Sequence, residues 1–87
     1  MKIYLGADHA GFELKEKLRS YLTDLGHDVE DKGAFSFVSG DDYPDFVMPV
    51  AESVSSDKES LGIVLGGSGQ GEAMVANRVK GVRALVF

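Results

Sequence analysis

Leu61-Gly62-Ile63-Val64-Leu65 is an apolar run of strand length that opens directly into Gly66-Gly67-Ser68-Gly69-Gln70-Gly71-Glu72, with four glycines in six residues. A short apolar run bounded this way reads as a buried strand of a parallel sheet. Ala73-Met74-Val75-Ala76-Asn77-Arg78-Val79 then reads as helix. Glycines after such a strand let the backbone approach a ligand closely, and the N–H groups of the following helix start converge on an anion. Glu72 falls in the first turn of that helix. The helix dipole favours a carboxylate there, but a carboxylate also repels an anionic ligand. A Glu72 that faces such a ligand needs a chemical purpose, and proton abstraction supplies one.

The rest of the chain alternates strand and helix patterns. Lys2–Leu5 reads as a short strand closed by Gly6-Ala7-Asp8-His9-Ala10-Gly11. From Phe12 onward Leu14, Leu18, Tyr21, Leu22 and Leu25 recur at helical spacing, and Gly26 suits the helix stop. A weak strand over Asp28–Asp31 follows, then a loop from Lys32 to Asp42. Pro44 suits the first turn of a second helix with Phe46, Val47, Val50, Ala51 and Val54 as its apolar set. Pro49 interrupts that set, so the helix either starts later or kinks there. Leu61–Leu65 is the third strand, Gln70–Val79 the third helix, and Val82–Phe87 a fourth strand after Gly81.

Alternating units of this length predict an α/β fold: one domain over residues 1–87, with a four-stranded parallel sheet flanked by helices. Right-handed crossovers bring all strand C-terminal ends to one edge. The Gly6–Gly11 and Gly66–Gly71 loops then share a rim, where open parallel sheets bind ligands. Asp8, His9, Ser68 and Glu72 can therefore meet in one pocket despite their separation in sequence.

Composition narrows the function classes. A hydrophobic content of 44% argues for a packed domain rather than disorder. A net charge of −5 argues against a nucleic-acid-binding face, which needs clustered Lys and Arg. No cysteine is present, so thiolate chemistry and disulfides are excluded, and a reducing cytoplasm is compatible. No apolar run approaches membrane-spanning length, and the chain opens on a strand rather than a signal segment. No His, Asp and Glu spacing resembles a metal site, and no serine sits in a nucleophile elbow.

Each residue also has a plainer reading. Glycine-rich turns are often only tight connections, and Gly66–Gly71 is neither a dinucleotide fingerprint in its usual place nor a P-loop. Asp8 can cap the first helix, and His9 can be structural. Glu72 can simply stabilise its own helix start. Asn77 can be a packing residue, and Arg78, Lys80 and Arg83 a solvated face.

Taken together, the motifs carry more than any one of them. Gly6-Ala7-Asp8-His9-Ala10-Gly11-Phe12, Asp42-Tyr43-Pro44, Gly66–Glu72 and Ala76-Asn77-Arg78-Val79-Lys80-Gly81-Val82-Arg83-Ala84 resemble the ribose-5-phosphate isomerase B family, which includes the galactose-6-phosphate isomerase subunits. The resemblance runs over essentially the whole chain, in order. It implies a Rossmann-like three-layer sandwich and an aldose–ketose isomerase that needs no metal or nucleotide. It also implies homodimers or other homo-oligomers with active sites across the subunit interface.

Many members of that family carry a cysteine base at the position of Gly66. A second branch carries a glutamate base six residues on, within Gly-Gly-Ser-Gly-Asn-Gly-Glu. Gly66–Glu72 resembles that branch, with Gln70 in place of the asparagine. By the resemblance, Glu72 is the base and Asp8 orients sugar hydroxyls. His9 lies toward the phosphate end, Tyr43 lines the pocket, and Gly67, Ser68, Gly69 and Gly71 form the substrate loop. Family chains run on past the equivalent of Phe87, for roughly half as much again, with a ring-opening histidine, an asparagine and phosphate-gripping arginines. The expectation is the N-terminal portion of the family fold, prone to association along its last strand. The alternative is a non-catalytic sugar-phosphate-binding module or a structural subunit completing a partner's site.

Overall fold

The computed structural model describes residues 1–35 and 44–87. Three strands form one fully parallel sheet: β1 (Lys2–Ala7), β2 (Asp28–Asp31) and β3 (Ser60–Leu65), in the order β2-β1-β3. Ile3 stands opposite Val29 on one side and Leu61 on the other, and Ala7 opposite Leu65. The helices are α1 (Phe12–Asp24), α2 (Pro44–Ser56) and α3 (Gln70–Ala76).

Strand alternation sorts the faces. A Cβ on Gly6 or Gly62 would strike Val50 of α2, so even-numbered positions of β1 and β3 face that helix. A Cβ on Gly11, just before α1, would strike Leu65, so the odd positions face the other way. Right-handed crossovers place α1 and α2 on opposite faces of this strand order. Ile3, Leu5 and Ala7 are buried in the middle strand, and Val47, Ala51 and Ala76 form a core cluster where α2 meets α3.

α1 ends as the sequence predicts. Gly26 takes φ +94°, and the N–H groups of Gly26 and His27 return to the carbonyls of Thr23 and Leu22 at 3.0 and 3.1 Å. Those two bonds close a Schellman motif. α2 runs unbroken through Pro49, whose carbonyl accepts from Ser53 Oγ at 2.8 Å. The helix does not start later than Pro44.

Three expectations are corrected. Only Leu18 and Leu22 of the expected apolar stripe of α1 are half-buried, whereas Leu14, Tyr21 and Leu25 are exposed. The buried line of α1 runs instead through Lys15, Leu18 and Leu22, so the helix is rotated from the plain hydrophobic reading. α3 stops at Ala76, and tight turns carry the chain on, with Arg78 N–H donating to Val75 O and Val79 N–H to Ala76 O.

Val82–Phe87 is not a strand; among the described residues the sheet has three strands rather than four. The cause is local. Asn77 Oδ1 accepts from Ala84 N–H at 2.8 Å, and Asn77 Nδ2 donates to Ala84 O at 3.0 Å. The side chain thereby takes the backbone groups a ladder would use, and an open cavity separates this segment from β3.

Candidate active site

β1 and β3 are neighbours whose last paired residues are Ala7 and Leu65, so Asp8 and Gly66 leave the sheet side by side. The single rim expected from the alternation is present. Gly11 makes the close approach possible, because a Cβ there would lie 2.6 Å from both the Cβ and the carbonyl oxygen of Leu65. Any other residue would push the loop after β1 away from the end of β3.

Asp8 is only 9% exposed. Its Oδ1 accepts from the N–H groups of Ala10 and Gly11 at 3.0 and 3.4 Å, capping the short 3-10 turn His9–Gly11. Its other oxygen makes no hydrogen bond among the described residues. Asp8 thus caps the turn that leads into α1 rather than α1 itself, whose N-cap is Gly11, and one oxygen stays available. His9 is half-buried beside it, and its carbonyl accepts from Phe12 N–H. Tyr43 lies outside the described residues.

On the opposite side of the rim, Gly69 takes φ +81° as the cap of α3, a conformation that favours glycine. Ser68 is exposed, and its Oγ accepts from Gln70 N–H at 3.2 Å, so it closes the turn. The hydroxyl can still donate its own hydrogen outward. Gly67 is exposed, with open space where a Cβ would go, and Gly71 is half-buried in the first turn of α3.

Glu72 is 5% exposed, and among the described residues its carboxylate has no hydrogen-bond partner. It lies directly against Gly66: a Cβ there would stand 2.8 Å from Oε1 and closer still to Oε2. A nearly buried carboxylate without a partner is costly unless it meets one. Glu72 lines a cavity of about 730 Å³ together with Gly66, Gly67, Ser68 and Gly69, with Val82–Phe87 along another wall. Asp8, His9 and Gly71 do not line that cavity. Sequence reasoning missed Lys15, whose side chain is fully buried. The signal was present, because Lys15 shares a helical face with Leu18 and Leu22. Among the described residues no three His, Asp or Glu side chains converge as metal ligands.

A family model described as Ribose/Galactose Isomerase matches residues 3–87. The chain is 53% identical over 83 residues to ribose-5-phosphate isomerase B of Mycolicibacterium paratuberculosis, covering 95% of this chain and 52% of that protein. It is 43% identical over 84 residues to galactose-6-phosphate isomerase subunit LacB of Clostridium acetobutylicum, covering 97% and 48%. Among solved structures, ribose-5-phosphate isomerase B of Mycoplasma genitalium with bound ribulose-5-phosphate superposes with a TM-score of 0.90 at 40% identity, covering 93% of this chain and 54% of that one. The Thermotoga maritima enzyme gives 0.87 at 46% identity, covering 94% and 56%. The chain spans about half the length of these relatives, so they extend further beyond it than the sequence resemblance implied. A parallel sheet ending in two adjacent loops, with a motif string matched over nearly its whole length, has one consistent reading: this chain belongs to the ribose/galactose isomerase family.

Proposed function

We propose that this chain carries an aldose–ketose isomerase site that interconverts ribose 5-phosphate and ribulose 5-phosphate, with Glu72 as the base. One observation carries the proposal: Glu72 is a nearly buried carboxylate with no hydrogen-bond partner among the described residues, on the rim it shares with Asp8. Support for the substrate comes from the relatives at about half identity that are ribose-5-phosphate isomerases B.

In the open-chain aldose, Glu72 takes the proton from C2. The C1=C2 double bond forms as the C1 carbonyl electrons move onto O1, giving an enediolate. The proton then returns at C1, the O2 hydrogen passes to O1, and the C2 carbonyl is established. Backbone N–H groups of the Gly67–Gly71 loop hold the developing oxyanion, and loss of such a donor typically costs about 3 kcal/mol of barrier. Asp8 orients sugar hydroxyls through its available oxygen, Ser68 donates its hydroxyl hydrogen, His9 serves the phosphate end, and Tyr43 is a further substrate-binding residue. The chain acts in the cytoplasm and as a homo-oligomer, a reading supported by its lack of cysteine and by the exposed Leu14, Tyr21 and Leu25 of α1.

Ribose 5-phosphate incubated with the protein in heavy water tests this. The C2 proton should wash out, and Glu72→Gln should slow washout by about two to four orders of magnitude while sparing affinity. Binding without washout in the unaltered protein would favour the non-catalytic sugar-phosphate-binding reading. Washout at an unchanged rate in Glu72→Gln would remove Glu72 from the chemistry.

A further inference from the structure

Lys15 is a fully buried ammonium group that the proposed chemistry leaves unused. Its Nζ lies 2.6 Å from Asp31 Oδ2, 2.7 Å from Ala34 O and 3.0 Å from Glu16 Oε2. An ammonium has three hydrogens to donate, and here three acceptors take them. It also stands 5.1 Å from the centre of the Phe12 ring. Burying a charge this fully is costly, and replacing a whole buried pair by well-packed apolar side chains is often neutral or stabilising. The charge therefore points to a geometric purpose rather than to stability.

The contacts lead to the rim. Asp31, clasped by Lys15, accepts from Gly33 N–H through its other oxygen at 2.8 Å. Gly33 O accepts from Ala7 N–H at 2.8 Å, and Ala34 N–H donates to Ala7 O at 2.8 Å. Gly33–Ala34 thus forms a strap bonded to both the N–H and the C=O of Ala7, on the flank away from β3, and Lys15 fastens the strap at Ala34 O and Asp31. The residue after Ala7 is Asp8.

We propose that Lys15 is a positioning residue: by fastening the Gly33–Ala34 strap to Ala7 it fixes where Asp8 presents its available oxygen to a sugar phosphate. The proposal rests on the isomerase reading for the identity of the ligand, but the mechanical part stands on the contacts alone.

Four proteins test it: Lys15→Met, Lys15→Arg, Asp8→Asn and the Lys15→Met/Asp8→Asn double variant. Amide hydrogen exchange is read at Ala7 and Ala34, with Ile3 and Leu5 as internal controls, and ribose 5-phosphate affinity by NMR titration. Lys15→Met should speed exchange at Ala7 and Ala34 by about tenfold or more with the controls unchanged, as expected for local rather than global opening. Affinity should fall about tenfold in Lys15→Met and in Asp8→Asn, and the double variant should bind no more weakly than Asp8→Asn. Equal loss of protection at all four amides would make Lys15 only a stabilising residue and overturn the proposal, as would losses of affinity that multiply. If Lys15→Met does not fold, Lys15→Arg decides, because it keeps the charge but not the compact three-way contact; it should show the same selective exchange, and uniform exchange would overturn the proposal. Failure of the unaltered protein to bind ribose 5-phosphate would refute the substrate assignment, while the exchange measurements would still decide the strap.

Discussion

The carboxylate of Glu72 occupies the space into which a side chain at Gly66 would project. The two positions are therefore alternatives, and a glycine at 66 is a condition for a buried acid at 72. Gly66→Ala should expel the carboxylate from its seat. Overpacking of this kind costs about 1–3 kcal/mol of stability, and displacing a reacting group by about an ångström can cost a hundredfold in rate. C2-proton washout measured beside the melting temperature checks both, and unchanged washout would show that Glu72 does not act from its present position.

Gly11→Ala probes the junction between the loops. Its new methyl would meet Leu65 backbone and side chain at 2.6–2.7 Å, and main chain has little room to yield. Stability should fall by about 1–3 kcal/mol, read as a lower denaturation midpoint. Gly67 supplies the contrast: a Cβ there meets nothing within 4 Å, so Gly67→Ala should be nearly silent for stability.

Asn77→Ala should release Val82–Phe87. The variant loses both hydrogen bonds to Ala84. These bonds are exposed, so the expected cost is about 1 kcal/mol, a fall of about 4–8 °C in the melting temperature of a domain this size. Faster amide exchange at Ala84, with β1 amides unaffected, would mark the release as local.

Acid should loosen the α1 and β2 surface before the core. Glu16 titrates below the usual glutamate value because Arg19, and then Lys15, hydrogen-bond its carboxylate. Glu30 is lowered likewise by Lys32 and then Lys2. A carboxylate depressed in the folded state stabilises it fully above the unfolded value of about 4.3, and that contribution fades as pH falls through the folded value. Both groups are partly exposed, so the effect is small and salt-sensitive. Urea midpoints should therefore be flat from neutrality to about pH 5 and decline below it, less steeply at high salt. A midpoint that rises on acidification would contradict these ion pairs.

Periodicity and glycine placement made much of the architecture legible. Asp28–Asp31 and the Gly26 stop appear where the sequence put them, as does the shared rim of the first and third strands. What escaped was side-chain competition for backbone groups. A pattern of apolar residues made Val82–Phe87 look like a strand, but Asn77, seven residues from Ala84, takes the bonds of that residue. The place of Lys15 on the face of Leu18 and Leu22 was legible, but its role was not, because its acceptors Asp31 and Ala34 lie far along the sequence. At the site, Glu72 and the glycine loop were visible as a motif, whereas the steric exclusion between Glu72 and Gly66 depends on side-chain direction that spacing alone does not give.

The order β2-β1-β3 sets a constraint on how the chain is assembled in time. β1 is synthesised first, yet it is the strand enclosed on both sides, and one of its partners is made only when Ser60–Leu65 emerges. Parallel pairings of this span carry the loop-closure cost of non-local contacts and form slowly. A nascent chain that has not reached β3 leaves one flank of Ile3 and Leu5 without a neighbour, so β1 is enclosed only after β3 is made. Folding is thereby tied to completion of the third strand, and an arrest of translation before Ser60 would yield a chain for chaperones and proteases rather than a partly working domain.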